Sequence, residues 1–123
     1  MIVADTSTWV NFYQGRKIRE VELLGEALQA KILFMSPPVL CELLASKTLS
    51  KADKQNLIQL PRIEILNGFW ERVGFLRNAL LEKGLKARTM DCLIAQTCLD
   101  HKARLISNDD DFRHFSSVGL KLA

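Results

Sequence analysis

The sequence predicts an α/β domain of three layers, a mostly parallel sheet of about five strands with helices on both faces. Three observations lead there. Short apolar or β-branched runs alternate with longer segments of helical period. Helix start and stop signals stand between those runs, and strands separated by helices require right-handed crossovers. No repeat, low-complexity tract or Gly/Ser- or Pro-rich linker divides the 123 residues, so residues 1–123 read as one domain.

Met1–Ala4 is a short apolar run ending at Asp5, the form of a buried parallel strand. Thr6 to about Tyr13 can form a first helix, and a second follows from about Arg19 to Ala30. Ile32–Met35 is the next strand. Ser36-Pro37-Pro38 starts a helix running to about Ser46, with Ser36 offering an N-cap oxygen and the prolines sitting where amide donors lack partners. Ser50, three before Asp53, opens a helix to about Leu60, and Pro61 ends it. Arg62–Leu66 alternates as a strand. Asn67 caps a long helix to about Lys83, closed by Gly84. Thr89 caps a helix from about Met90 to His101. Arg104–Ser107 is a strand, Asn108–Phe115 a polar loop with a short helix, and Val118–Leu122 a final strand.

With 48% hydrophobic and 25% charged residues the chain has the composition of a soluble globular protein. No apolar run approaches the ~20 residues of a membrane span. The opening MIVADTSTWVNFYQG lacks a basic start and a continuous apolar stretch, so no signal peptide is expected and the cytoplasm is the expected location. Cys41, Cys92 and Cys98 lack CxxC spacing and read as reduced, partly buried thiols.

Five acids fall where such a sheet gathers them: Asp5, Glu42, Asp91, Asp109 and Asp111. Carboxylates repel one another, so a cluster of them calls for a positive guest. Without His or Cys companions that guest is a hard, oxygen-preferring cation such as Mg²⁺ or Mn²⁺. The net charge is +3; if these five acids line one pocket, nine acids remain to face seventeen bases, and the rest of the surface carries +8. A basic surface around an acidic pocket suits a nucleic-acid backbone.

Each acid also has a plainer explanation. Asp5 could cap the first helix, although Thr6, Ser7 and Thr8 stand ready for that job and leave the carboxylate free. Glu42 lies on the edge of the apolar stripe of Val39, Leu40, Leu43 and Leu44, where a solvated Glu is the commoner case. Asp91 shares a face with Ile94, Ala95 and Cys98, and a carboxylate there needs a partner, a raised pKa or a metal. Three successive acids at Asp109, Asp110 and Asp111 exceed what a cap requires. Asp109 and Asp111 can face one point while Asp110 faces water, with Phe112 and Phe115 anchoring the short helix. His101 and His114 lack the spacing of a metal pair or a catalytic dyad and read as surface or partner contacts. Trp9, Phe12, Phe69, Trp70 and Phe75 read as core or interface aromatics. Arg88, Lys86, Arg104 and Arg113 are expected near the mouth of the site.

In order, Val3-Ala4-Asp5-Thr6-Ser7, Ser36-Pro37-Pro38-Val39-Leu40-Cys41-Glu42-Leu43, Met90-Asp91-Cys92-Leu93-Ile94-Ala95 and Leu105-Ile106-Ser107-Asn108-Asp109-Asp110-Asp111-Phe112 resemble the motifs of the PIN domain, most closely those of VapC-type toxins of prokaryotic toxin–antitoxin pairs. The resemblance spans nearly the whole chain. It implies a parallel sheet of about five strands and Mg²⁺- or Mn²⁺-dependent cleavage of RNA by an endoribonuclease. Asp5, Glu42, Asp91 and Asp109 match the family's metal-holding acids, and Asp111 an additional acid often present. Ser107 sits where the family has Thr or Ser, as a contact to a ligand or phosphate. Thr6, Ser7, Asn108 and Arg88 are further candidates for substrate contact. The resemblance also implies homodimers and inhibition by a cognate antitoxin.

Other acid-based α/β designs fit less well. A phospho-accepting receiver needs an Asp where Leu66-Asn67 stands, and a haloacid-dehalogenase-like phosphatase needs DxD where Asp5-Thr6-Ser7 stands. A Toprim domain expects its Glu on the first strand. The alternative of another class is a PIN-like module that grips RNA or an antitoxin without cutting.

Overall fold

The computed structural model describes residues 1–123. Strand β1 (Ile2–Ala4) leads directly into helix α1 (Thr6–Tyr13), followed by α2 (Arg19–Gln29), α3 (Pro37–Leu44), α4 (Lys51–Ile58), α5 (Phe69–Glu82) and α6 (Thr89–His101). Then come β2 (Arg104–Ile106), a 3₁₀ helix over Asp110–Val118, and β3 (Lys121–Leu122). β1 pairs with β2 and β2 with β3, all parallel, with Ile2 opposite Arg104 and Arg104 opposite Lys121. Two single parallel bridges, Ile2–Leu33 and Met35–Arg62, carry the sheet outward on the other side of β1. The strand order therefore reverses at β1. Successive residues Val3 and Ala4, and Leu105 and Ile106, are all buried, so both faces of the sheet are covered. α2 and α6 each pack against β2.

Three expected strands are shorter in the fold than in the sequence pattern. Ile32–Met35 makes one isolated bridge to each neighbour, and Arg62–Leu66 makes one, with the next carbonyl along it, that of Glu64, meeting the His101 ring at 2.7 Å. Val118 belongs to the 3₁₀ helix, and Gly119 at φ 99° turns the chain into the two-residue β3. Of the expected caps, Ser50 accepts from the Asp53 amide at 3.1 Å. Ser36 stands at the N-cap, but its hydroxyl bonds instead to Thr97 at 2.9 Å and ties α3 to α6. Gly68, not Asn67, caps α5, in the left-handed conformation that glycine takes freely. Thr89 is already helical, and Arg88 precedes it as the cap residue. Gly84 follows α5 at φ 72°, as a terminating glycine does.

One core runs through the sheet and helices, and Trp9, Phe69, Phe112 and Phe115 are among its largest members. Phe112 and Phe115 anchor the 3₁₀ helix; truncating either costs about 3–5 kcal/mol. Trp70 and Phe75, by contrast, are 66% and 75% exposed on α5. Cys92 and Cys98 are buried free thiols, and burial pushes Cys98 up to about 12, so it stays protonated and inert. Cys41 is exposed. His114 is not a plain surface residue, since its Nδ1 is buried without a hydrogen-bond partner.

Candidate metal centre in an acidic cleft

In open parallel sheets ligands gather outside the carboxyl ends of the strands where the order reverses. Here that point lies beyond Ala4 and Ile106. Asp5 extends β1 there, its amide donating to the Ile106 carbonyl at 3.0 Å. Its side chain is 3% exposed yet carries several bonds. One oxygen accepts from the Thr8 amide at 2.9 Å, and Ser107 donates to the other at 2.5 Å, with Ser7 within 3.2 Å of both. The expectation that neighbouring hydroxyls would leave this carboxylate free is thus corrected: Asp5 itself caps α1. Of those hydroxyls only Ser7 orients it, while Thr6 turns to Glu42 and Thr8 to the Ile106 carbonyl.

A cleft of about 380 Å³ opens beside it, lined by Asp5, Glu42, Asp91 and Asp109 together with Thr6, Ser7 and Arg88. α3 brings Glu42, which accepts from the Thr6 hydroxyl at 2.5 Å and is thereby locked to the start of α1. The first turn of α6 brings Asp91. The loop after β2 brings Asp109, which caps the 3₁₀ helix by accepting from the Asp111 amide at 2.9 Å. Ser107 ties the last to the first, donating to Asp5 while accepting from the Asp109 amide at 3.0 Å.

The acids are not equally close. Carboxylate oxygens of Asp91, Asp109 and Asp111 lie within 4.8 Å of one another; Asp91 and Asp109 line the cleft together with Asp5 and Glu42, whereas Asp111 stands outside its lining. Burial and the charges of Asp109, Asp111 and Glu42 push Asp91 up to about 6, against the opposing pull of Arg88. Burial and like charge both disfavour the ionised form of Asp91, and a nearby cation would favour it. An all-oxygen donor set with three converging carboxylates fits a hard divalent cation. Lys86 partly compensates, its ammonium 3.1 Å from Asp111.

Of the remaining candidates, Asn108 faces a different hollow, shared with Ser107, Asp110 and Arg113, and does not line the acidic cleft. Arg113 pairs with Asp110 at 3.2 Å on the surface. Arg104 is not near the mouth: it opens β2 at the far end of the sheet, because a parallel strand carries its first residue away from the site. Sequence reasoning missed Asn11, a half-buried amide on the cleft wall. Its spacing of four from Ser7 along α1 puts both on one helix face, and that was the available signal.

Fold and site together define a parallel α/β protein with a carboxylate-lined cleft at its switch point. The chain belongs to the PIN domain family, whose model matches residues 2–118. Several solved structures share the fold. A chain of VapBC2 from Rickettsia felis, solved bound to a DNA fragment from their promoter, is 26% identical over 100% of this chain and 98% of its own, with a TM-score of 0.71. A toxin–antitoxin complex from Klebsiella pneumoniae is 20% identical over 100% and 97%, and FitAcB from Neisseria gonorrhoeae 16% over 99% and 96%, both at TM-score 0.71. At those lower identities the likeness speaks for the fold. No curated protein matches in sequence. No helix is long and apolar enough to cross a membrane.

Proposed function

We propose that this PIN domain is a metal-dependent endoribonuclease, the toxin of a toxin–antitoxin pair, hydrolysing RNA phosphodiester bonds in the cytoplasm. The observation that carries the reading is the convergence of Asp91, Asp109 and Asp111 beside a cleft lined by Asp5, Glu42, Asp91 and Asp109. These five acids would hold Mg²⁺ or Mn²⁺. When bound, that ion supplies Lewis acidity to the scissile phosphate and a water of lowered pKa. Asp91, pushed up to about 6 by burial and its acidic neighbours, would be ionised near neutral pH and so able to join them in holding the ion. Ser107 and Ser7 fix the Asp5 carboxylate, and Thr6 fixes Glu42, so two walls of the cleft are set before any ligand enters. Arg88 at the rim, with Thr6, Ser7 and Asn11, would contact the RNA backbone. A homodimer and an antitoxin partner belong to the same proposal, supported by the likeness to VapBC2 and the Klebsiella complex.

The test is incubation of purified protein with labelled RNA, with Mn²⁺ or with EDTA, alongside Asp91→Asn. Cleavage that needs metal and disappears in the variant is expected. A second reading, a PIN module that binds RNA or an antitoxin without cutting, draws on the Lys86–Asp111 ion pair, which neutralises one acid as a cation would. Binding with no cleavage under Mn²⁺ would favour it.

A further inference from the structure

Every strand of a parallel sheet starts at one end, and here that end is cationic. One row across the sheet runs Leu33, Ile2, Arg104, Lys121, joined by a bridge and two in-register ladders. Lys31 and Lys102 stand two residues before Leu33 and Arg104. With strands ~4.8 Å apart, the row is about 14 Å wide. Lys31, Lys102, Arg104 and Lys121 are all exposed. None has a carboxylate within ion-pair distance: the ion pairs are Arg72–Asp100, Lys86–Asp111 and Arg113–Asp110. Lys102 and Lys121 border one hollow of about 340 Å³ whose floor includes Cys98 and Ala103. Glu26 is the one acid beside a neighbouring hollow, where Ile2 and Ile32 line the wall.

The backbone adds a second observation. Six residues take the left-handed conformation, and Gly15, Gly68, Gly84 and Gly119 are free to do so. The other two are Lys31 at φ 57° and Lys102 at φ 54°, directly after the C-caps of α2 and at the C-cap of α6. Gly119, which lines the same hollow as Lys102 and Lys121, is a third such position on this pole; at the other two the chain keeps a charge where glycine would sit without strain. Complementing the two helix dipoles is the structural explanation, and it predicts lower stability when the charge is removed.

We infer that this pole is a second contact for the RNA backbone, centred on Lys102, Arg104 and Lys121 with Lys31 flanking, gripping a stretch of substrate that lies outside the cleft. The inference rests on the nuclease reading. An acidic cleft repels a polyanion, and Arg88 is the one cation on its lining. Holding a long RNA therefore needs positive charge elsewhere, and mutually repelling, unpaired cations in a row suit a polymer with one charge per unit. A short oligonucleotide would fill the cleft alone and ignore this pole.

The experiment compares wild type with a Lys102→Gly, Arg104→Gln, Lys121→Gln triple variant. Fluorescence anisotropy in EDTA reads the affinity for a ~30-nucleotide RNA across salt concentrations; Mn²⁺-dependent cleavage reads a ~5-nucleotide RNA. We expect the long RNA to bind about tenfold or more weakly, with the salt slope shallower by about 2, as ~0.7 per lost phosphate contact requires. Cleavage of the short RNA stays unchanged, and Lys102→Gly alone melts no lower than wild type. Unchanged affinity and slope overturn the inference, as does a Lys102→Gly variant that melts lower with its RNA affinity intact. Polyglutamate displacing the RNA at equal charge concentration would overturn it in favour of an acidic protein partner. Should the triple variant not fold, Lys121→Gln, at an exposed strand end, is expected to shift the slope by about 0.7, and no shift overturns the inference equally. A wild type that cuts no RNA fails the nuclease reading; a wild type that cuts, with a triple variant that binds long RNA as before, fails this one.

Discussion

Helix α6 carries a carboxylate near each end, and the two are treated in opposite ways. Asp100, in the last turn, sits where the helix dipole is unfavourable. Burial pulls its carboxyl up, yet Arg72 donates at 2.9 and 2.6 Å and Gln96 at 2.8 Å, and these bonds hold it below the usual carboxylate range. Asp91, in the first turn, has the favourable dipole end, but burial first and then the charges of Asp109, Asp111 and Glu42 push it up to about 6. Asp100 is complete within the fold. Asp91 is not, and its open valence is the physical mark of a site.

Breaking the comparison at Asp91 has the largest expected effect. Asp91→Asn should lower RNA cleavage by more than the ~100-fold typical of outer partners of a metal ligand, with the fold intact. Steady-state rates in Mn²⁺ check the first part, and far-UV circular dichroism the second. Asp5→Ala should cost activity similarly but also lower stability by about 1 kcal/mol, because Asp5 caps α1.

At the other end of the helix, Asp100→Ala strips Arg72 and Gln96 of their acceptor. We expect a loss of roughly 1–3 kcal/mol in urea melts with cleavage per folded molecule unchanged. A loss of cleavage there would erase the distinction between the two acids.

Metal sharpens the contrast next. Mn²⁺ at a hundredfold its dissociation constant should stabilise wild type by about 2.7 kcal/mol in thermal melts, and Asp91→Asn by much less. Asp100→Ala should keep the whole increment.

The smallest effect is that of pH. Because the folded carboxyl of Asp91 is raised from 3.8 to about 6, its native charged form is disfavoured. The penalty is absent below the unfolded value and fully present above about 6, so metal-free stability should fall as pH rises across that window. With solvent screening allowed for, the change is on the order of 1 kcal/mol. Asp100, lowered, works the other way, losing its contribution as pH falls through its folded value. Metal-free melts from pH 4 to 7 on wild type and Asp91→Asn should differ by that slope.

Much of this was legible in the sequence. Helical period and cap signals placed all six α-helices, and strand-then-acid order put Asp5 and Asp109 at one end of the sheet. Asp91 stood out because an apolar face cannot hide a carboxylate. What failed was local competition between partners. Ser36 left its capping role for Thr97 across the core, Gly68 displaced Asn67, and Asp5 kept the cap that three hydroxyls had been assigned. Each depends on a contact distant in sequence or on a backbone angle, and neither is written in residue type. Arg104 was misplaced for a simpler reason: its position along the strand, not its charge, decides which pole it joins.

Titrating Mn²⁺ into the metal-free protein by calorimetry, with Asp91→Asn and Asp100→Asn in parallel, tests the central claim most directly. Saturable binding in wild type and Asp100→Asn, lost in Asp91→Asn, is the predicted result. Equal binding in all three, or none in wild type, would contradict it.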